Sequence, residues 1–181
     1  MNRRTALAAL LALSRVMPAA AQSEVDRALE QRVKAAFLFR FTEFVTWPDS
    51  AYARADAPFV MAVVGGDAVA DSLRAITAGR SVAGRTIEVR RVSAADAIPL
   101  AQVVYIAGSE GARTREILQK APRHALVVTE ADGALDYGAV INFVVVQERV
   151  RFDASIDSAE KRGLRLSSRL LAVARTVRGS Y

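Results

Sequence analysis

Apolar residues recur between positions 25 and 44 at the spacing of one helical face: Val25, Leu29, Val33, Phe37, Phe41 and Phe44. The pattern predicts a helix from Val25 to about Val45. Ser23 and Asp26 supply a start signal, and Trp47-Pro48 stops it, because proline cannot continue a helical ladder. Phe59 to Val64 is then a continuous apolar, β-rich run, as expected of a strand buried on both faces. Gly65-Gly66-Asp67 turns the chain, with Asp67 placed to cap a helix over 68–76. Residues 79–86 read as a turn region. Strands follow at 87–92, 103–107 and 125–129, with a helix at 114–120 that ends before Pro122. Val140–Val146 and Val150–Ser155 flank the polar turn Gln147-Glu148-Arg149 and read as an antiparallel hairpin. A short helix over 158–162 and a last helix complete the chain. Ser167 or Ser168 caps the last helix, and its stripe is Leu166, Leu170, Val173, Ala174 and Val177.

The alternation of strands and helices predicts an α/β fold. Its sheet would have about six strands, mostly parallel, with helices on both faces and an antiparallel hairpin at the C-terminal end. No internal repeat or linker interrupts it.

Residues 1–21 read as an export signal. Arg3 and Arg4 give the basic start, Ala6 to Leu13 the apolar run, and Ala19-Ala20-Ala21 a small-residue cleavage site before Gln22. The run is far shorter than the roughly 20 residues that span a bilayer. An uncleaved amphipathic start, which Arg15 would suit, is the alternative. The expected organisation is a signal at 1–21 and a single domain at 22–181, with the mature protein in the periplasm. Arg3, Arg4 and Arg15 leave with the signal and no acid does, so the formal charge falls from +6 to +3. That balance gives no electrostatic footprint for nucleic acid. The chain has no cysteine, so no disulfide supports it in an oxidising compartment.

Candidate chemistry is sparse, and no cofactor or metal is expected. Gly65, Gly66 and Asp67 lie between a strand and a helix, where anions bind. They lack both the phosphate-loop Lys and the three-glycine dinucleotide pattern, so a tight turn and a small-ligand site both stand. His124, the only histidine, has no cysteine or second histidine to share a metal, and no nucleophile elbow accompanies it. Asp132, Asp136, Asp153 and Asp157 are candidate paired carboxylates whose spacing sets no distance. Lys161, Arg162, Arg165, Arg169, Arg175 and Arg178 make the C-terminal segment basic. It is a solvated face, or a surface for an acidic partner or anionic lipid.

The first helix is the most unusual segment. Four of the seven Phe and the only Trp fall at 37, 39, 41, 44 and 47. At helical spacing Phe39 points about 160° away from Phe41, toward the small residues Ala28, Ala35, Thr42 and Thr46. Either the chain's own C-terminal helix covers this back face, or a partner does.

Leu38-Phe39-Arg40-Phe41-Thr42-Glu43-Phe44-Val45-Thr46-Trp47-Pro48 resembles the opening helix of the YfiR family of periplasmic regulators. Ile141-Asn142-Phe143-Val144, Arg149-Val150-Arg151-Phe152, Gly163-Leu164 and Leu166 to Leu171 resemble its C-terminal block in the same order. The resemblance runs over nearly all of residues 30–175. It implies a Rossmann-like α/β sandwich, often dimeric, that is a regulator and not an enzyme. Such regulators inhibit an inner-membrane diguanylate cyclase through its periplasmic sensor portion, lowering cyclic di-GMP and biofilm formation. An outer-membrane lipoprotein can sequester the inhibitor. Partner contacts are then expected at Phe39, Thr42, Trp47, Arg165 and Arg169. A small-molecule-binding sensor module using Gly65, Gly66 and Asp67 is the competing reading, and a hydrolase is a third. Relatives carry cysteines, one of them beside the third strand, where this chain has Gln102-Val103-Val104. Disulfide control is therefore closed to it.

Overall fold

The computed structural model describes residues 19–180. Residues 1–18, which hold most of the expected export signal, lie outside the described residues. Helix α1 (Ala19–Phe41) is followed by the short strand β1 (Val45–Thr46). Next come β2 (Phe59–Val64), α2 (Asp67–Thr77), β3 (Ser81–Val82), β4 (Arg85–Val92), β5 (Val103–Ile106), α3 (Thr114–Lys120) and β6 (Leu126–Thr129). The chain closes with β7 (Ile141–Val146), β8 (Arg149–Ser155), α4 (Ile156–Lys161), β9 (Arg165–Leu166), α5 (Ser168–Val173) and β10 (Thr176–Arg178).

Eight strands form one sheet in the order β10-β8-β7-β6-β5-β2-β4-β3. From β7 through β4 all neighbours are parallel, and the β7–β8 hairpin and the β3–β4 pair are antiparallel. This is the expected α/β sandwich, with two more strands than predicted. The pleat explains why β2 reads as an unbroken apolar run. Phe59, Met61 and Val63 enter one core with α1 and α2, while Val60, Ala62 and Val64 enter a second core with α3. β5 divides likewise, Tyr105 into the first core and Ile106 into the second.

Several local expectations are corrected. Helix α1 is already formed at Ala19, ahead of the expected start near Val25, because the alanines at 19–21 are strong helix formers and need no cap at Ser23. It ends at Phe41, not Val45. The amides of Thr42, Glu43 and Phe44 bond three residues back, the tight turn that closes many helices. The β-branched Val45 and Thr46 then pair with Leu166 and Arg165 as an antiparallel two-stranded sheet.

The predicted stripe holds only in the second half of α1, where Phe37 and Phe41 pack on the core, with Phe44 beyond the helix end doing the same. Lys34, Ala35, Leu38, Phe41 and Thr42 point inward, whereas Val25 and Leu29 are 54% and 59% exposed. The small residues at 35 and 42 suit close approach by α2, the main helical neighbour of α1. Asp67 is the first residue of α2 and not its cap; Gly66 holds that position without a side-chain bond. The region 79–86 is a hairpin turn, with Ala83 and Gly84 at φ 49° and 75°. Ser155 caps α4, its hydroxyl accepting from the Ser158 amide. The last helix is short. Ser167 caps it as predicted, but Val177 lies on β10, where the chain pairs with β8.

Candidate functional site

The parallel strands place their C-terminal ends on one side of the sheet. From β2 the chain passes to β4 on one flank and then returns to β5 on the other. The gap between the ends of β2 and β5 is thus the topological switch point, where open α/β sheets hold ligands. Gly65, Gly66 and Asp67 stand at this gap, as the ligand reading expects, and they border a crevice of ≈ 410 Å³. Gly65 has φ 72°, and a Cβ there would meet Glu110 Oε1 at 2.3 Å, so any other residue is strained and must displace Glu110. Asp67 points away, toward Arg91 Nε at 3.5 Å.

The chemistry of the crevice comes from residues that the sequence did not single out. Lys34 is only 5% exposed. Its ammonium donates to Glu30 Oε1 at 2.5 Å and to Glu130 Oε2. Glu130 Oε1 also accepts the Tyr105 hydroxyl at 2.5 Å and the Gly108 amide at 2.7 Å. Burial pulls the Lys34 pKa down, but the hydrogen bonds and charges of Glu130 and Glu30 outweigh it and hold the value above ordinary lysine. Burial pushes Glu130 up, and the donors Lys34, Tyr105 and Gly108 overcome that and hold it below 4.5. Burial first, then the Glu130 charge, raises the Tyr105 phenol. Lys34 and Glu130 therefore stay ionised at neutral pH, and the Tyr105 phenol stays neutral, so none of the three is a poised acid or base. The only traces in the sequence are a lone lysine inside Val33-Lys34-Ala35-Ala36-Phe37 and an acid directly after β6, and neither by itself marks a site.

The proposed partner contacts lie elsewhere and apart from one another. Phe39 is half-buried on the first core, with the Arg80 guanidinium 5.2 Å above its ring. Thr42 is 7% exposed and its hydroxyl donates to the Phe39 carbonyl, so it has almost no surface to offer. Trp47 Nε1 donates to the Gln102 carbonyl at 2.9 Å, and its ring meets Phe59 edge-on at 5.0 Å. It fastens the chain beneath the sheet, at the end opposite the crevice. Arg165 and Arg169 are exposed, but the basic segment does not form one helix. Arg175 binds Asp153 through two bonds, at 2.8 and 2.5 Å, and Arg178 pairs with Asp136. Asp132, Asp136, Asp153 and Asp157 therefore do not come together as an acid pair; two of them hold β10 to its neighbours. His124 bridges the Arg162 carbonyl at 2.8 Å and Ser50 at 3.2 Å.

A cavity of ≈ 720 Å³ is a groove between the first half of α1 and the tip of the β7–β8 hairpin. Leu29, Val33, Val145 and Val150 line it, with Asp26, Glu30, Glu148 and Arg149 at the rim. Val25, Leu29, Val145 and Val146 are the exposed apolar side chains of this end. The hairpin tip projects because β6 pairs with β7 only at Ile141 and Asn142.

The sheet order and its two flanking cores define a Rossmann-like α/β domain. The family model described as YfiR/HmsC-like matches residues 31–175, and the chain belongs to that family. Its members are periplasmic regulators of cyclic di-GMP signalling rather than catalysts. No helix among the described residues is long and apolar enough to cross a membrane. No curated protein matches the chain. A solved structure of a conserved domain protein from Vibrio cholerae O1 biovar El Tor str. N16961 is similar, at 15% identity and a TM-score of 0.48. The match covers 66% of this chain and 54% of that one, so this chain spans about half the length of its structural relative.

Proposed function

We propose that this protein inhibits a membrane-bound diguanylate cyclase by docking on its periplasmic sensor portion, and thereby lowers cyclic di-GMP and biofilm formation. Family membership across 31–175 carries the reading. The groove between α1 and the hairpin supports it as the contact surface, because contiguous exposed valines and leucines mark interfaces. Inhibition works by population shift. The bound inhibitor favours the inactive sensor conformation, and capture of the inhibitor by an outer-membrane lipoprotein relieves it. Thr42 has no place in the contact, and Arg165 and Arg169 would form a separate, basic face.

The test is binding of the purified chain to the periplasmic portion of a membrane diguanylate cyclase encoded by the same organism. Leu29→Asp and Val145→Asp should each weaken binding about tenfold or more, a loss of about 1.4 kcal/mol, without lowering the melting temperature. Arg169→Glu probes the basic face in the same assay. Wild-type affinity for both groove variants would remove the groove from the interface.

A second reading rests on the crevice at the switch point: a module that binds a small molecule and reports it to a membrane partner. A thermal-shift screen separates the two, since a ligand at 100 times its dissociation constant adds about 2.7 kcal/mol of stability.

A further inference from the structure

Glu30 lines three cavities at once: the α1–hairpin groove, a cleft of ≈ 430 Å³ beside β7, and the switch-point crevice. Lys34 and Glu130 line the latter two. The ion cluster is therefore the shared wall between the ligand end of the sheet and the apolar groove. Lys34 is also the first buried residue of α1 among the described side chains; those from Ser23 to Leu29 are all exposed. Whatever holds Lys34 sets where the helix leaves the body of the protein.

Glu130 meets its donors as a bound ligand would. One oxygen takes the Lys34 ammonium, and the other takes the Tyr105 hydroxyl and the Gly108 amide. Those donors come from α1, β5 and the turn after β5, whereas Glu130 arrives from the end of β6. A charged acceptor with a lysine, a phenol and a backbone amide converging on it is the arrangement of a carboxylate-recognition site. We propose that Lys34, Tyr105 and the Gly108 amide form a carboxylate-binding cradle, that the chain fills it with its own Glu130, and that emptying it loosens the root of α1. The groove is then coupled to the crevice through Glu30 and Lys34, since a change in how Lys34 is held moves the wall they share. The inference is independent of the cyclase assignment, because its test uses the isolated chain.

Glu130→Ala removes the internal ligand and leaves the donors. The variant should melt about 6–20 °C below wild type, the loss expected when one partner of a buried pair is deleted in a domain of this size. Sodium formate at a hundred times its dissociation constant should recover about 5–10 °C of that. Matched chloride should recover none beyond its effect on wild type. Hydrogen exchange gives a local readout: amides of residues 27–36 should exchange faster in the variant and slow again with formate. Glu130→Gln covers the case in which the alanine variant fails to fold. Its amide oxygen still accepts from Tyr105 and Gly108 while the charge facing Lys34 is gone, so exchange at 27–36 should rise with the sheet intact. The proposal is overturned if formate acts no differently from chloride on Glu130→Ala. It is equally overturned if exchange at 27–36 in Glu130→Gln matches wild type.

Discussion

Gln102 is 1% exposed, yet its side chain is fully employed. Its Oε1 accepts the Val60 amide at 2.7 Å and its Nε2 donates to the Ala51 carbonyl at 2.6 Å. It thus joins the start of β2 to the turn that follows Trp47. Gln102→Met keeps the length and nearly the volume, so the cavity contribution is small. Both backbone groups are then left without partners in a dry interior, at about 1–3 kcal/mol each. Burying the apolar methionine offsets about 1 kcal/mol. The expected net loss is about 1–5 kcal/mol, or about 2–20 °C in melting temperature for a domain of this size. Urea unfolding followed by tryptophan fluorescence measures it directly, because Trp47 Nε1 donates to the Gln102 main chain. The denaturation slope should not change, since the fold and its buried surface persist. A loss of less than about 0.5 kcal/mol, the range of an ordinary surface substitution, would refute this account of the buried amide.

Acid should destabilise the protein through particular carboxylates. Hydrogen bonds from Arg175 hold Asp153 below its ordinary value, and the Lys34 cluster does the same for Glu130. Each contributes stability that is present above its unfolded-state pKa, 3.8 for Asp and 4.5 for Glu, and lost as pH falls through the lower native value. Unfolding free energy measured from pH 7 to pH 3 should fall, and Asp153→Asn should flatten that slope; an unchanged slope would count against the pair. At the alkaline end the sign reverses for Lys34, whose stabilisation is present below 10.5 and lost as pH rises through the raised native value. Gly65→Ala should cost about 1–3 kcal/mol, because it forces a side chain into a left-handed backbone against Glu110. Gly84→Ala, with φ 75° and no atom within 4 Å of the added Cβ, should cost less. Equal losses by chemical denaturation would show that the Glu110 contact does not matter.

Much of the fold was legible in the chain. The ends of β2 and α3 fall where predicted, and β4, β5, β6 and β7 begin or end within one or two residues of expectation. These segments announce themselves because a strand buried on both faces must be apolar throughout, and glycine or proline bounds most of them. The site was half legible. The Gly65-Gly66-Asp67 turn could be placed at a strand end, but Lys34, Glu130 and Tyr105 are 25 to 96 positions apart in the pairs they form. Nothing in their local sequence declares that pairing.

The sequence by itself determined the class of protein: an α/β chain without cysteine, whose aromatic first helix and C-terminal block carry a family signature. Local chemistry suffices for this, because periodicity, turns and motifs are properties of neighbouring residues. The tertiary structure alone decided which side of α1 is buried. Several faces of that helix carry apolar residues, and spacing cannot rank them. Packing on α2 and the sheet selected the side with Ala35, Leu38 and Thr42, and left Val25 and Leu29 facing water. Long-range pairing also turned the end of the basic segment into a strand. The Arg175–Asp153 bridge and the ladder with β8 outweigh a weak helical preference beyond Val173.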